Sequence, residues 1–316
     1  MSCSIVRHTV FHTLPVQTYG LAPSCQKRPC CATALYATRK ADTTMKHNSI
    51  LITGASSGLG RTLALTLARP GRKLWLGGRN TERLEETARA CISRGAAVHL
   101  KACDVANSAA MAEWVHGTGG LDMVLACAGI TGGTRKPLGP DQPATEPEAQ
   151  IRRIFETDLI GVLNTVLPAL ELMQHQPRAA DGMRGRICAI SSVAGLVSFP
   201  GTPSYSAAKA AVDRFMVATG GNAKKAGILL SSVVCGFLDT PMVARNTFPM
   251  PSLTDVNSAC RRILRGLARN ERRITFPLWL VAGSRFMDLL PIRLAESYYN
   301  NQPAGAAGSM PEPDLS

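Results

Sequence analysis

The chain has 316 residues, of which 45% are apolar and 18% charged, and a formal net charge of +13. The apolar fraction excludes disorder throughout, and ten cysteines spread over so long a chain exclude a small disulfide scaffold. No apolar run approaches the ~18–20 residues of a membrane-spanning helix. What remains is a soluble globular protein with one large core or two ordinary ones, whose basic excess points to nucleic acid, an anionic membrane or an anionic ligand.

Residues 1–44 carry Arg7, Lys27, Arg28, Arg39 and Lys40 against Asp42 alone, together with Cys3, Cys25, Cys30 and Cys31, and show no hydrophobic period. They read as a leader outside the folded domain: an extension upstream of a start at Met45, an acid-poor organellar transit peptide, or a disordered arm. A transit peptide implies an organellar location; otherwise the reading is cytoplasmic. The later cysteines, Cys91, Cys103, Cys127, Cys188, Cys235 and Cys260, have no CxxC spacing and read as small apolar residues of a reducing compartment.

From Ser49 onward short apolar runs alternate with helix-length amphipathic stretches, the rhythm of βαβ units and a mostly parallel sheet. The layout is a domain over 45–277, a helical extension over 278–300 and a Pro/Gly/Ala-rich disordered tail over 301–316. The first strand, Ser49–Thr53, runs through Thr53-Gly54-Ala55-Ser56-Ser57-Gly58-Leu59-Gly60 into a helix over Leu59–Ala68. Glycines there allow a tight turn, close approach of a pyrophosphate and packing against the sheet, and the helix start offers unpaired N–H groups to phosphate.

The second strand, Lys73–Gly77, ends in Gly77-Gly78-Arg79-Asn80 before a helix over Thr81–Ser93. An acid here would hold an adenosine ribose 2′-hydroxyl, whereas arginine takes a 2′-phosphate. Arg79 can pair bidentately with phosphate and stack on adenine, so NADP(H) is favoured over NAD(H). Arg61 is a weaker second candidate, and a solvated arginine at a helix start is the bland alternative. A third strand over Ala97–Lys101, a helix over Ser108–His116 and a fourth strand over Met123–Cys127 follow. A Pro/Gly-rich loop over Gly132–Pro147 then precedes one long helix, Ala149–Met173.

After a loop over Asp181–Gly185 comes the fifth strand, Arg186–Ile190, which runs into Ser191-Ser192. The helix over Ser204–Lys225 opens with Tyr205-Ser206-Ala207-Ala208-Lys209, a spacing that sets Tyr205 and Lys209 on one face, one turn apart. An ammonium at ~4 Å stabilises a phenolate by ~4 kcal/mol at an effective dielectric of ~20, enough to bring a tyrosine from ~10 toward ~7. Tyr205 can then exchange a proton at working pH, with the Ser192 hydroxyl polarising the same substrate oxygen. The remaining elements are a strand over Ile228–Val234, a helix over Ser252–Ala268, a strand over Arg273–Phe276 and an apolar segment over Trp279–Leu290.

These motifs, with Asp104-Val105 after the third strand, Ala128-Gly129 after the fourth, Gly236 and Thr240, resemble the short-chain dehydrogenase/reductase family over essentially all of residues 49–276. The resemblance implies a single Rossmann-type domain, an α/β doubly wound parallel sheet of seven strands. It also implies an enzyme that interconverts a carbonyl and an alcohol, with Ser192, Tyr205 and Lys209 catalytic and Tyr205 moving the proton. The cofactor residues it implies are Gly54, Ser56, Ser57, Gly58, Leu59, Gly60, Arg79, Asp104, Val105, Ala128, Gly129, Tyr205, Lys209, Gly236 and Thr240. Among them Lys209 holds the nicotinamide ribose, Asp104 and Val105 contact adenine, and Thr240 anchors the nicotinamide amide. For Asp104 a helix-capping role is the alternative. A homodimer or homotetramer through the helices carrying Asp158 and Tyr205 is a further implication.

Three residues depart from the family pattern. Cys127 precedes Ala128-Gly129 where asparagine is usual, and Cys235 precedes Gly236 where proline is usual, loosening a turn. Asp158 stands at the position of the family's fourth catalytic residue, usually asparagine, and its charge beside Lys209 would alter the tuning of Tyr205. Substrate contacts are expected from Met242, Val243, Phe248 and Met250 on one side and Leu196, Val197 and Phe199 on the other, which favours a hydrophobic small-molecule alcohol or ketone. The segments Phe276–Ala282 and Phe286–Leu290, with Arg285 and Arg293, form either a peripheral membrane element or a face packed on the sheet or a second subunit. The altered positions also leave open an NADP(H)-binding regulatory module without turnover. Arg261, Arg262, Arg265 and Arg269–Arg273 form no nucleic-acid reading helix and are read as a solvated face or subunit contact.

Overall fold

The computed structural model describes residues 48–134, 145–244, 246 and 250–299. The leader, the tail and part of the Pro/Gly-rich loop lie outside them. The elements run β1 (Ser49–Thr53), α1 (Gly58–Leu67), β2 (Lys73–Gly78), α2 (Thr81–Ile92), β3 (Ala97–Ala102), α3 (Ser108–His116) and β4 (Met123–Ala126). Next come α4 (Glu148–Phe155), α5 (Gly161–Gln174), β5 (Gly185–Ser192), α6 (Pro203–Lys225), β6 (Ile228–Cys235), α7 (Val256–Ala268) and β7 (Arg273–Phe276), then α8 (Leu278–Asp288) and α9 (Ile292–Tyr299).

All seven strands are parallel, in the order β3-β2-β1-β4-β5-β6-β7. Covered on both faces, the central strands are buried throughout, as in β4 and β6. Side chains alternate between two helical layers. Ile50 and Ile52 pack with Leu63, Leu67 and Ile263 beneath α1 and α7, and Leu51 packs with Met111, Val166 and Val212 beneath α3, α5 and α6. The fold is a single Rossmann-like doubly wound domain.

Most boundaries differ from expectation by one or two residues, and three departures have a clear physical cause. The helix predicted over Ser252–Ala268 begins only at Val256, because the Asp255 carboxylate accepts from Ser258 N at 2.9 Å and caps it, while Ser252 sits at a left-handed φ of 56°. The strand predicted to end at Cys127 stops at Ala126, where the Cys127 and Ala128 N–H groups turn to the Thr53 hydroxyl at 3.1 and 3.2 Å. The long helix predicted over Ala149–Met173 is broken by a π-helical turn, Glu156–Ile160. Its wider turn presents both Thr157 and Asp158 to the interior, and such turns accompany functional sites. The next residue, Gly161, approaches Val105 so closely that a Cβ would lie 2.4 Å from the Val105 Cγ2.

The arginines of the C-terminal third are not all solvated. Arg273 chelates Asp213 at 2.6 and 3.1 Å, Arg272 donates to the Val217 carbonyl, and Arg262 lies over the Phe276 ring at 5.5 Å.

Candidate active site

The strand order reverses between β1 and β4, and a crevice at the strands' C-terminal ends is the usual ligand site of such sheets. A cleft of about 1410 Å³ occupies it. The whole glycine loop from Gly54 to Gly60 borders this cleft except Ala55, which is buried in the core. Gly54 takes a φ of 66°, and a Cβ on Gly60 would lie 2.3 Å from the Gly54 carbonyl oxygen. At the start of α1, the cap residue Ser57 makes no side-chain capping bond and the first turn holds no acid. The helix start therefore presents donors toward the cleft with no anion of its own, as a dinucleotide pyrophosphate requires.

At the end of β2, Arg79 borders the same cleft beside Asp104, Nη1 to Oδ2 at 4.0 Å, both partly solvated. Asp104 does not cap α3: its Oδ1 accepts from Ala106 N at 3.0 Å, and Asn107 makes the capping bond with Ala110 N. Val105, Ala128, Gly129, Gly236 and Thr240 line the cleft as well, whereas Arg61 does not. Arg83 and Asn80, at the start of α2, border the Arg79 end and were missed by sequence reasoning; one helical turn from Arg79 was the available signal.

Tyr205 and Lys209 project from the first turns of α6, with Lys209 Nζ 5.5 Å from the Tyr205 ring centroid. Ser192, at the end of β5, lines the same cleft, and its hydroxyl accepts from Ala194 N at 3.1 Å. Lys209 Nζ donates to the Ile190 carbonyl at 3.1 Å and lies 2.9 Å from Asp158 Oδ2. The two side chains of that ion pair are 5% and 0% exposed. Asp158 Oδ1 accepts from Ile130 N at 2.8 Å, which leaves Oδ2 to the ion pair with Lys209. Asp158 does not line the cleft; it sits behind Gly129, where a Cβ would lie 3.0 Å from Oδ2.

This pairing corrects the expected tuning of Tyr205. Burial pushes the phenol above its usual value; Lys209 and the Ser192 hydroxyl pull it down, but Asp158 pushes it up again. Burial likewise raises Asp158 against the pull of Lys209 and the Ile130 N–H. For Lys209, burial works downward and is outweighed by Asp158 and Tyr205, so the ammonium is held above its usual value. The lysine charge is thus shared between an acid and the phenol rather than directed at Tyr205 alone. Cys235, where proline is usual, closes β6 and borders the cleft, its Sγ donating to the Ser191 carbonyl at 3.5 Å and its thiol raised by burial to about 11.

Two features were not read from the sequence. The α6 cap residue Thr202 makes no side-chain bond; instead the buried Glu146 accepts from Ser204 N at 2.9 Å and from Gln150 Nε2 at 3.2 Å. Thr134 anchors the preceding loop through Pro200 and Gly201. Trp279, Phe286, Met287 and Tyr298, from α8 and α9, also wall the cleft. Of the expected substrate contacts, Met242, Val243, Val197 and Phe199 line it, whereas Leu196 packs with Val234 and Val281 and Met250 lies outside. Phe248 falls outside the described residues.

Fold and cleft together define an oxidoreductase of the dinucleotide-binding α/β class. The short chain dehydrogenase family model matches residues 48–249. An uncharacterized oxidoreductase of Myxococcus xanthus (strain DK1622) is 31% identical over 251 residues, 78% of this chain and 94% of that relative. A cis-4-hydroxycyclohexanecarboxylate dehydrogenase of Sinomonas cyclohexanicum is 31% identical over 226 residues, 70% and 84% of the two chains. The solved short-chain dehydrogenase from Sphingobium yanoikuyae in complex with NADPH shares the fold at a TM-score of 0.64 and 22% identity, over 83% of this chain and 99% of that one. The chain belongs to the short-chain dehydrogenase/reductase family, whose members use NAD(P) and small-molecule substrates.

Proposed function

We propose that this chain interconverts a carbonyl and a secondary alcohol on a hydrophobic small molecule, with NADP(H) as cofactor and Tyr205 as proton donor and acceptor. The supporting observation is the convergence of Tyr205, Ser192 and Lys209 on one wall of the cleft that also holds the glycine loop. When bound, the nicotinamide supplies or accepts the hydride. The Ser192 hydroxyl orients the substrate oxygen toward Tyr205, and the Tyr205 hydroxyl gives that oxygen a proton or takes one from it. Lys209 stabilises the phenolate form, and Asp158 fixes Lys209 and moderates its charge. The uncapped start of α1 receives the pyrophosphate. A dimer or tetramer through α5 and α6 belongs to the same proposal; Ile160, in the π-helical turn, and Leu167 on α5 are exposed apolar residues.

Arg79 carries the preference for NADP(H). Arg79→Ala is expected to raise KM for NADPH by roughly tenfold, the value of one partly screened charge-assisted contact, and to leave KM for NADH unchanged. Equal effects on the two cofactors in steady-state assays would remove Arg79 from this role.

Asp158→Asn tests the tuning. Asp158 raises Tyr205 and Lys209 alike, so removing its charge lowers both. In alcohol oxidation, where Tyr205 acts as base, the rising limb of the kcat/KM profile is expected to move to lower pH. In carbonyl reduction the falling limb moves the same way. An unmoved or upward-shifted profile contradicts the assigned arrangement.

The cleft's apolar lining supports the substrate class. Along a series of 2-alkanones kcat/KM is expected to rise with chain length by about threefold to fourfold per methylene, the ~0.8 kcal/mol of one buried CH₂. A flat series counts against a hydrophobic substrate.

A further inference from the structure

We propose that α8 and α9 dock the protein peripherally on a neutral lipid surface, with the mouth of the cleft facing the acyl chains. The idea that substrate enters from the membrane rests on the function proposed above; the docking itself does not.

The two helices are held to the domain by few side chains. On α8 only Val281 is buried, packed with Leu196 and Val234, and on α9 only Tyr299, edge-on to Phe199 at 6.0 Å. Leu280, Met287 and Leu290 are half-buried, the first two lining the cleft, and most of the other large apolar residues face outward. Leu289 is 82% exposed, Leu278 and Ile292 are 70% exposed, and Phe286 and Leu294 are exposed as well. A monomer in water rarely presents so continuous an apolar surface.

Charge and composition select the occupant. Within residues 278–299 the only charged groups are Arg285, Asp288, Arg293 and Glu296, which cancel. These two helices therefore add no net attraction to anionic lipid, and apolar insertion carries their contact. Tyr298 is an exposed ring with a polar tip, and Trp279 is exposed with its indole N–H donating to Ser252 Oγ at 3.1 Å; such amphipathic rings suit the boundary between headgroups and acyl chains. Trp279, Phe286 and Tyr298 also wall the cleft, so the exposed face and the entrance are one surface. A second copy seated there would obstruct that entrance, whereas a bilayer covers the apolar residues and leaves the cleft open to a lipophilic substrate. Among the described residues no helix is long and apolar enough to cross a membrane, which agrees with attachment from one side.

The test is flotation of the full chain with phosphatidylcholine vesicles, with and without phosphatidylserine, at low and high salt. The wild type is expected to float with phosphatidylcholine alone, with little gain from phosphatidylserine and little loss in salt. The triple variant Leu289→Ser/Ile292→Ser/Leu294→Ser changes exposed residues outside the cleft lining and is expected to lose at least about tenfold in vesicle partitioning, given ~0.8 kcal/mol per CH₂ withdrawn from lipid. Its circular dichroism and its turnover of a short soluble ketone should match wild type. Flotation that requires phosphatidylserine, is unchanged in the variant, or is absent in wild type overturns the proposal. So does a wild-type dimer in sedimentation that the variant dissociates, which would assign the face to a second copy. Flotation without turnover of any ketone would instead preserve the docking and refute the catalytic reading.

Discussion

Tyr205→Phe is expected to lower kcat for NADPH-dependent carbonyl reduction by about 10²–10⁴-fold, the usual contribution of a positioned acid or base, while NADPH binding measured by titration persists. The substitution removes one oxygen and retains the ring. Lys209 Nζ, 5.5 Å from the ring centroid, keeps its contacts with the Ile190 carbonyl and Asp158, so α6 and the cofactor cradle are undisturbed. What disappears is the phenol hydroxyl on which Lys209 and Ser192 act. Turnover equal to wild type would end the assigned proton path.

The second large effect is on stability. Lys209→Met leaves the wholly buried Asp158 carboxylate with the Ile130 N–H but no cation, and breaking a buried pair from one side costs about 3–5 kcal/mol. Asp158, already raised by burial, rises further without Lys209. A carboxyl whose folded-state value exceeds its unfolded one contributes stability at acid pH that is lost as pH climbs, so the deficit should deepen from acid toward neutrality. Adding Asp158→Asn replaces the stranded charge by a neutral amide whose oxygen can still accept from Ile130 N, and is expected to restore most of the loss. Urea denaturation of wild type, both single variants and the double variant measures this coupling. A Lys209→Met variant as stable as wild type, or a double variant no better than the single, would show that the pair does not hold the site together.

The sequence carried the local patterns and missed what depends on partners distant in the chain. β1, α3 and β7 end where the apolar period and the turn residues place them, since each boundary is written in adjacent side chains. The glycine loop is legible because only glycine permits the φ of Gly54 and the approach of Gly60 to the Gly54 carbonyl. The four-residue spacing of Tyr205 and Lys209 was likewise enough to put them on one helical face. That spacing alone does not show what opposes Lys209; Asp158 as its neighbour comes from the family resemblance, and its complete burial from neither. The π-helical turn that presents Asp158 inserts without disturbing the apolar pattern of the surrounding helix, so periodicity reads straight through it. Lys209 by itself predicts a lowered Tyr205, with Asp158 expected to alter it; burial and Asp158 together reverse the direction. Glu146 capping α6 from 58 residues away, and α8 and α9 closing one side of the cleft, are tertiary facts with no local signature.

Turnover separates this protein from a binding-only module, the alternative raised by Asp158, Cys127 and Cys235. A panel of carbonyls and alcohols of increasing hydrophobicity, read at the nicotinamide absorbance with NADPH and NADH in parallel, decides between them. Reduction of hydrophobic ketones with NADPH is expected, slower with NADH and lost with both in Tyr205→Phe. Saturable NADPH binding with no turnover across the whole panel in either direction would contradict it.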